Sequence, residues 1–145
     1  MSMRQPSALR RREDWPELLA AEVEARVALP FTWGSHDCCT LAADLVLAMT
    51  GVDPIAAWRG LYDDEAGAEA LLAAAGGLAA LAERQAAEMG LGQCHPRFAQ
   101  RGDVALVRHG NALAMGVVLG ELVVVPGPEG LAFLPPDCIQ RAWSV

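Results

Sequence analysis

The sequence predicts an α+β domain, helices leading and a meandering antiparallel sheet following, and three observations predict it. Trp15, Leu19, Val23 and Val27 recur every four residues, which places them on one helical face. Asp37 precedes a run, Cys38 to Thr50, that is nearly free of charge and reads as a helix buried on most sides. From Arg101 onward the character turns to β, with Val104, Leu106, Val117, Val118, Val123, Val124 and Val125 supplying strand residues between glycine and proline turns.

The first helix opens at Asp14, where Asp-Trp-Pro-Glu offers an N-cap, an early proline and a carboxylate three residues on; it closes near Leu29-Pro30. The extended passage Phe31 to His36 leads to Asp37, whose side chain can accept from the free amides of the next helix. Leu41, Leu45, Val46 and Met49 form the apolar side of that helix, Gly51 stops it, and Cys38 and Cys39 sit in its first turn. Between Asp53-Pro54 and Gly90 the chain is Ala-rich, with a short turn at 54–58 and two helices broken at Gly76-Gly77. In the sheet half, Val107-Arg108-His109-Gly110-Asn111 forms one hairpin turn, and Gly120-Glu121 has the Gly-X form of another. Strands at 131–134 and 139–144 follow turns at Pro126-Gly127-Pro128 and Pro135-Pro136.

A chain of 145 residues that is 53% apolar and 20% charged can bury a core as one domain, here assigned to 14–145. The preceding segment, 1–13, carries Arg4, Arg10, Arg11 and Arg12 and reads as flexible, basic and solvated. A formal charge of −7 argues against a nucleic-acid surface, which needs clustered cations. No apolar run reaches the ~18 residues a membrane span requires, and no apolar core with a cleavage site opens the chain. A soluble, unsecreted protein without a membrane span is the expectation. The adjacent pair Cys38-Cys39, with Cys94 and Cys138, fits reduced thiols better than a disulfide framework.

A thiol at a helix start faces unpaired backbone N–H groups and the positive end of the macrodipole, which favour thiolate. The same amides can hold the oxyanion formed when sulfur attacks a carbonyl, so Cys38 is the candidate nucleophile. Phe31-Thr32-Trp33-Gly34 followed by Asp37-Cys38-Cys39-Thr40-Leu41 resembles the aromatic-x-Trp-Gly and Asp-Cys-Ser-Gly-Leu signature of NlpC-type peptidoglycan peptidases. Arg101-Gly102-Asp103-Val104-Ala105-Leu106 is similar to that family's Gly-Asp strand, and Ala114-Met115-Gly116-Val117-Val118-Leu119-Gly120 falls where its His-Val-Gly strand lies. Trp-Gly-x-His-Asp-Cys, Thr-Gly-Val-Asp-Pro, Arg59-Gly60-x-Tyr62 and Ala142-Trp143 also resemble small proteins of phage and prophage tail regions related to that fold. The resemblance implies a papain-like, NlpC-type fold, a cysteine hydrolase of peptidoglycan stem-peptide amides, phage tail proteins as partners, and a place in the cytoplasm of the producing cell or on the virion tail.

The same resemblance puts a general base at the position of Ala114 and an orienting polar residue around Val124 or Val125. Apolar side chains stand at all of these, which leaves two functional readings open: an active hydrolase with another base, or a degenerate domain serving tail assembly or peptide binding. His109, in the turn beside Ala114, is the substitute base in the first reading, with a solvated turn histidine as the alternative. His36 either adjoins the site or holds the loop before Cys38, and His95 follows Cys94 in a connection. Trp33 and Asp37 are the other candidate binding residues, against plain roles as a wall aromatic and an N-cap. The histidines and cysteines could supply zinc ligands, but their spacing matches no zinc knuckle, and no metal or cofactor is assigned. Asp103 starts a strand, and a catalytic role would require reach toward Cys38.

Overall fold

In the computed structural model, which describes residues 4–145, the helical half and the sheet half of the α+β fold follow each other as the sequence predicts. Within those residues the helices are α1 (Trp15–Arg26), α2 (Cys38–Thr50), α3 (Glu65–Ala75) and α4 (Leu78–Met89). The strands are β1 (Gly92–Cys94), β2 (Val104–His109), β3 (Ala112–Val118), β4 (Val123–Pro126), β5 (Leu131–Leu134) and β6 (Ile139–Ser144). They form a single antiparallel sheet in the order β1-β6-β2-β3-β4-β5.

Helix α2 lies between α1 and the sheet, which is why its sequence carries so little charge. Leu41, Leu45, Val46 and Met49 pack with Leu106, Val117, Val124 and Trp143, and fully burying side chains of this size stabilises by about 1.5–3 kcal/mol each. Strand alternation sends Ala105, Val107, Val118, Val123 and Val125 to the opposite face, where they meet Ile139 and Ala142 in a second cluster. Two turns set the sheet's register. Gly110-Asn111 joins His109 to Ala112, and Gly120-Glu121 sits inside the bond from the Leu119 N–H to the Leu122 carbonyl (2.7 Å). Pro126 ends β4 because it has no N–H to donate.

Helix α1 is shorter than its periodicity suggests: it ends at Arg26, and Val27 is 47% exposed, so the buried stripe stops at Val23. Asp14 occupies the N-cap position without a capping hydrogen bond, since its backbone (φ −97°, ψ 25°) is not extended and does not aim the carboxylate at the free amides. Strand β1 had no counterpart in the sequence pattern.

The basic leading segment, expected over 1–13 as a solvated stretch, makes specific contacts with the domain. Residues 1–3 lie outside the described residues; from residue 4 the segment runs along β1 and is bonded to it. The Gln5 N–H donates to the Gln93 carbonyl (2.8 Å), the Ala8 N–H to Gly90 (2.7 Å) and the Arg12 N–H to Met49 (2.7 Å). Arg4 and Arg11 are drawn inward by Asp103, while Arg10 and Arg12 are exposed; the fully buried carboxylate pairs with Arg4 and with Arg11 (3.1 Å) and also accepts from the N–H groups of Gln100 (2.8 Å) and Val145 (3.3 Å). Arg11 further donates to the carbonyls of Val145 (2.6 Å) and Arg101 (2.9 Å) and stacks on Trp15. Asp103 is therefore a structural hub, and its oxygens are engaged here rather than directed to Cys38.

Removing one partner of a buried ion pair leaves the other charge uncompensated. Asp103→Asn is expected to lower unfolding free energy by about 3 kcal/mol, read as a lower urea midpoint at unchanged m value. An unshifted midpoint would contradict the role given to this carboxylate.

Candidate active site around Cys38

The segment before α2 is a closed loop. Thr32 and His36 exchange backbone hydrogen bonds (2.9 and 2.8 Å), and Gly34, at φ +83°, lies so close to the Tyr62 carbonyl that a Cβ would not fit. The loop presents Trp33, whose ring meets Phe31 edge-on with centroids 4.7 Å apart.

Asp37 then fixes the start of α2. One carboxylate oxygen accepts the Thr40 N–H (2.8 Å), while the Thr40 hydroxyl oxygen accepts the Asp37 N–H (2.7 Å), a reciprocal cap. The other oxygen accepts the Gly34 N–H (2.9 Å) and the Tyr62 hydroxyl (2.5 Å). Asp37 borders the cleft but its oxygens are occupied, so it shapes the site instead of offering an acceptor to a ligand. Burial, then the neighbouring Asp37 carboxylate, pushes the Tyr62 hydroxyl far above the ordinary phenol range, and it stays a donor.

Cys38, the first residue of α2, opens onto a cleft of about 240 Å³ walled by Trp33, Tyr62, Leu72, His109 and Ala114, among others. Its thiol is lowered from the ordinary value. The Cys39 thiol donating to it is the largest cause, and the backbone N–H groups of Met115 and Cys39 add to it, against burial and the Asp37 charge. Cys39 is correspondingly pushed well up, so Cys38 is the member of the pair that ionises first. Strand geometry explains the Met115 donor. The Val118 N–H bonds back to the Asp103 carbonyl on the β2 side, so alternation turns the Met115 N–H toward β4, whose pairing with β3 ends at Val117↔Val124.

The sequence candidates divide clearly. Cys38, Trp33, Asp37 and His109 share the cleft. His109 ends β2 with its side chain exposed and, among the described residues, makes no hydrogen bond to Cys38. Ala114 also lines the cleft, so a methyl group stands at the wall position where the resemblance expects a base. His36 does not line it: the residue is 6% exposed, and among the described residues its Nε2 has no hydrogen-bond partner. Burial lowers its pKa first, Arg26 next, while Asp44 and Asp37 oppose. His95 accepts the Arg97 N–H (3.1 Å) and packs edge-on against Phe98. Among the described residues no group of three or more His, Cys, Asp or Glu is placed to hold a metal ion. Sequence reasoning missed Trp58 and Leu72 as walls and the Met115 amide as a donor; the amide leaves no trace in residue type.

The model of a protein family described as a domain of unknown function, DUF6950, matches residues 10–145. No curated protein and no solved structure matches the chain.

Two measurements test these environments. In iodoacetamide labelling followed by peptide mapping, Cys38 should react with a half-maximal rate at a pH below the ~8.5 of a free thiol, and Cys39→Ala should move that midpoint up. Cys94 and Cys138, both raised chiefly by burial, should label later, and equal labelling of all sites would refute the assignment. For His36 the folded pKa is depressed, so the unfolded chain takes up its proton first. Stability should therefore fall as pH drops through the ordinary His value of ~6.5 and level off below the folded pKa. Urea midpoints at pH 7.5 and 5.5 should differ less in His36→Gln than in the parent.

Proposed function

The chain belongs to the DUF6950 family, and we propose that it is a papain-like, NlpC-type cysteine hydrolase domain that cleaves amides with Cys38 as nucleophile. The observation that carries this reading is that Cys38 opens α2 directly after the Asp37 cap, inside a cleft that also holds His109. The order of helix, Gly-Asp strand and following strand supports the NlpC assignment, as do the Trp33-Gly34 and Asp37-Cys38 motifs.

In this mechanism the thiolate adds to the amide carbon, and the oxygen takes up charge beside the free amides of the α2 first turn. His109, the histidine on the cleft wall, accepts the Cys38 proton and returns it to the departing nitrogen. The C–N bond breaks, an amine leaves, and a thioester remains on Cys38. Water then attacks the thioester carbon, giving a carboxylic acid and the free thiol. Peptidoglycan stem peptides as substrates, and a setting in the phage or prophage tail, follow from the motif resemblance.

A second reading has its own observation. Ala114 occupies the wall position of the usual base, which favours a domain that binds a peptide or tail partner without cleaving it.

Incubation with purified peptidoglycan fragments separates the two by mass spectrometry. The hydrolase reading expects turnover that vanishes in Cys38→Ala and falls by about 10² to 10⁴ in His109→Ala. Fragment binding without turnover selects the binding module.

A further inference from the structure

The polarity of the cleft narrows the substrate, and we propose that the Cys38 site takes amides or esters of an uncharged aliphatic acyl group. This rests on Cys38 as nucleophile and adds what lies on the acyl side of the scissile bond.

Charge complementarity carries the first half of the case. The chain has no lysine, and among the described residues no arginine lines the cleft. The carboxylate of Asp37 is committed to Gly34, Thr40 and Tyr62, and the Tyr62 hydroxyl is committed to Asp37. Of the lining side chains, His109 stands at the exposed end of β2. A ligand carboxylate placed among Leu71, Leu72 and Leu81 would lose its hydration and meet no counter-charge, whereas methylenes there are released from water.

A second cavity carries the other half. Behind Cys39, between α2, α4 and the sheet, lies a pocket of about 60 Å³, and Cys39, Trp58, Leu78 and Leu81 line both it and the cleft. Its polar groups are turned onto each other: the Trp58 indole N–H donates to the Gln85 side-chain oxygen (3.1 Å), and the Gln85 amide donates to the Pro54 carbonyl. The remaining lining, including Ile55, Val104 and Trp143, is apolar, the kind of surface that stays dry and accepts hydrocarbon. An acyl chain with its carbonyl carbon at the Cys38 sulfur and its tail directed past Cys39 uses both spaces.

The test compares 4-nitrophenyl hexanoate with the 4-nitrophenyl monoester of succinate, on the full chain. In each, sulfur adds to the acyl carbon, the C–O bond breaks with its electron pair on 4-nitrophenolate, and water then releases the acid. With rates divided by those of N-acetylcysteine, kcat/KM should favour hexanoate roughly tenfold or more. Leu72→Lys, which adds a cation on the half-buried cleft face of α3, should shrink or reverse that preference. Equal corrected rates would overturn the substrate class while leaving the nucleophile intact. Tryptophan fluorescence of Cys38→Ala titrated with hexanamide and with succinamate reads binding alone. Preferential hexanamide binding beside an unreactive parent protein would uphold the apolar site and defeat the hydrolase reading. Absence of hexanamide binding together with absence of acylation would overturn both.

Discussion

Asp37 is a carboxylate with 2% of its surface exposed, and it survives there because each oxygen is supplied with donors from a different part of the chain. Thr40 brings the first turn of α2, Gly34 the Trp33 loop, and Tyr62 the connection that leads into α3. A single buried charge thus fixes the angle at which α2 begins, the position of Trp33 and one wall of the cleft. Cys38 needs that order, because a sulfur faces a helix's free amides only when the first turn is held.

A second buried carboxylate performs the matching task at the other end of the molecule. Asp103 gathers Arg4 and Arg11 from the leading segment and the Val145 amide that follows β6, so residues distant in sequence meet beside the start of β2. The two hubs share a logic, since each charge is buried with local backbone donors and long-range side-chain donors together. They differ in consequence: one shapes the cleft, and the other seals the edge formed by β1.

What the sequence made legible was local. The cap at Asp37, the stop at Gly51, the break at Gly76-Gly77 and the Gly120-Glu121 turn all rest on residues a few positions apart, and all stand in the structure. His109 and Cys38 in one cleft were legible too, because a short hairpin keeps His109 near Ala114. The pairing of Arg4 and Arg11 was not legible because their partner lies more than ninety positions away, and charge alone does not tell a solvated guanidinium from a paired one. Strand β1, three residues long, is too short to show a period. His36 sits two residues from Cys38 yet misses the cleft, since the tight loop turns its ring into the protein interior.

The α3 side of the cleft differs in kind from the α2 side. Helix α2 buries seven residues, five of them in the main core, whereas α3 buries only Ala68 and Ala75 and packs chiefly on α4 across a two-glycine joint. Local opening follows the weakest set of buried contacts, so amide hydrogens of α3 exchange through a smaller free-energy gap than those of α2. The wall that carries Leu71 and Leu72 is thus the one expected to open first by local unfolding. The cleft thus has its Cys38 side on the more deeply buried helix and its Leu72 side on the less buried one.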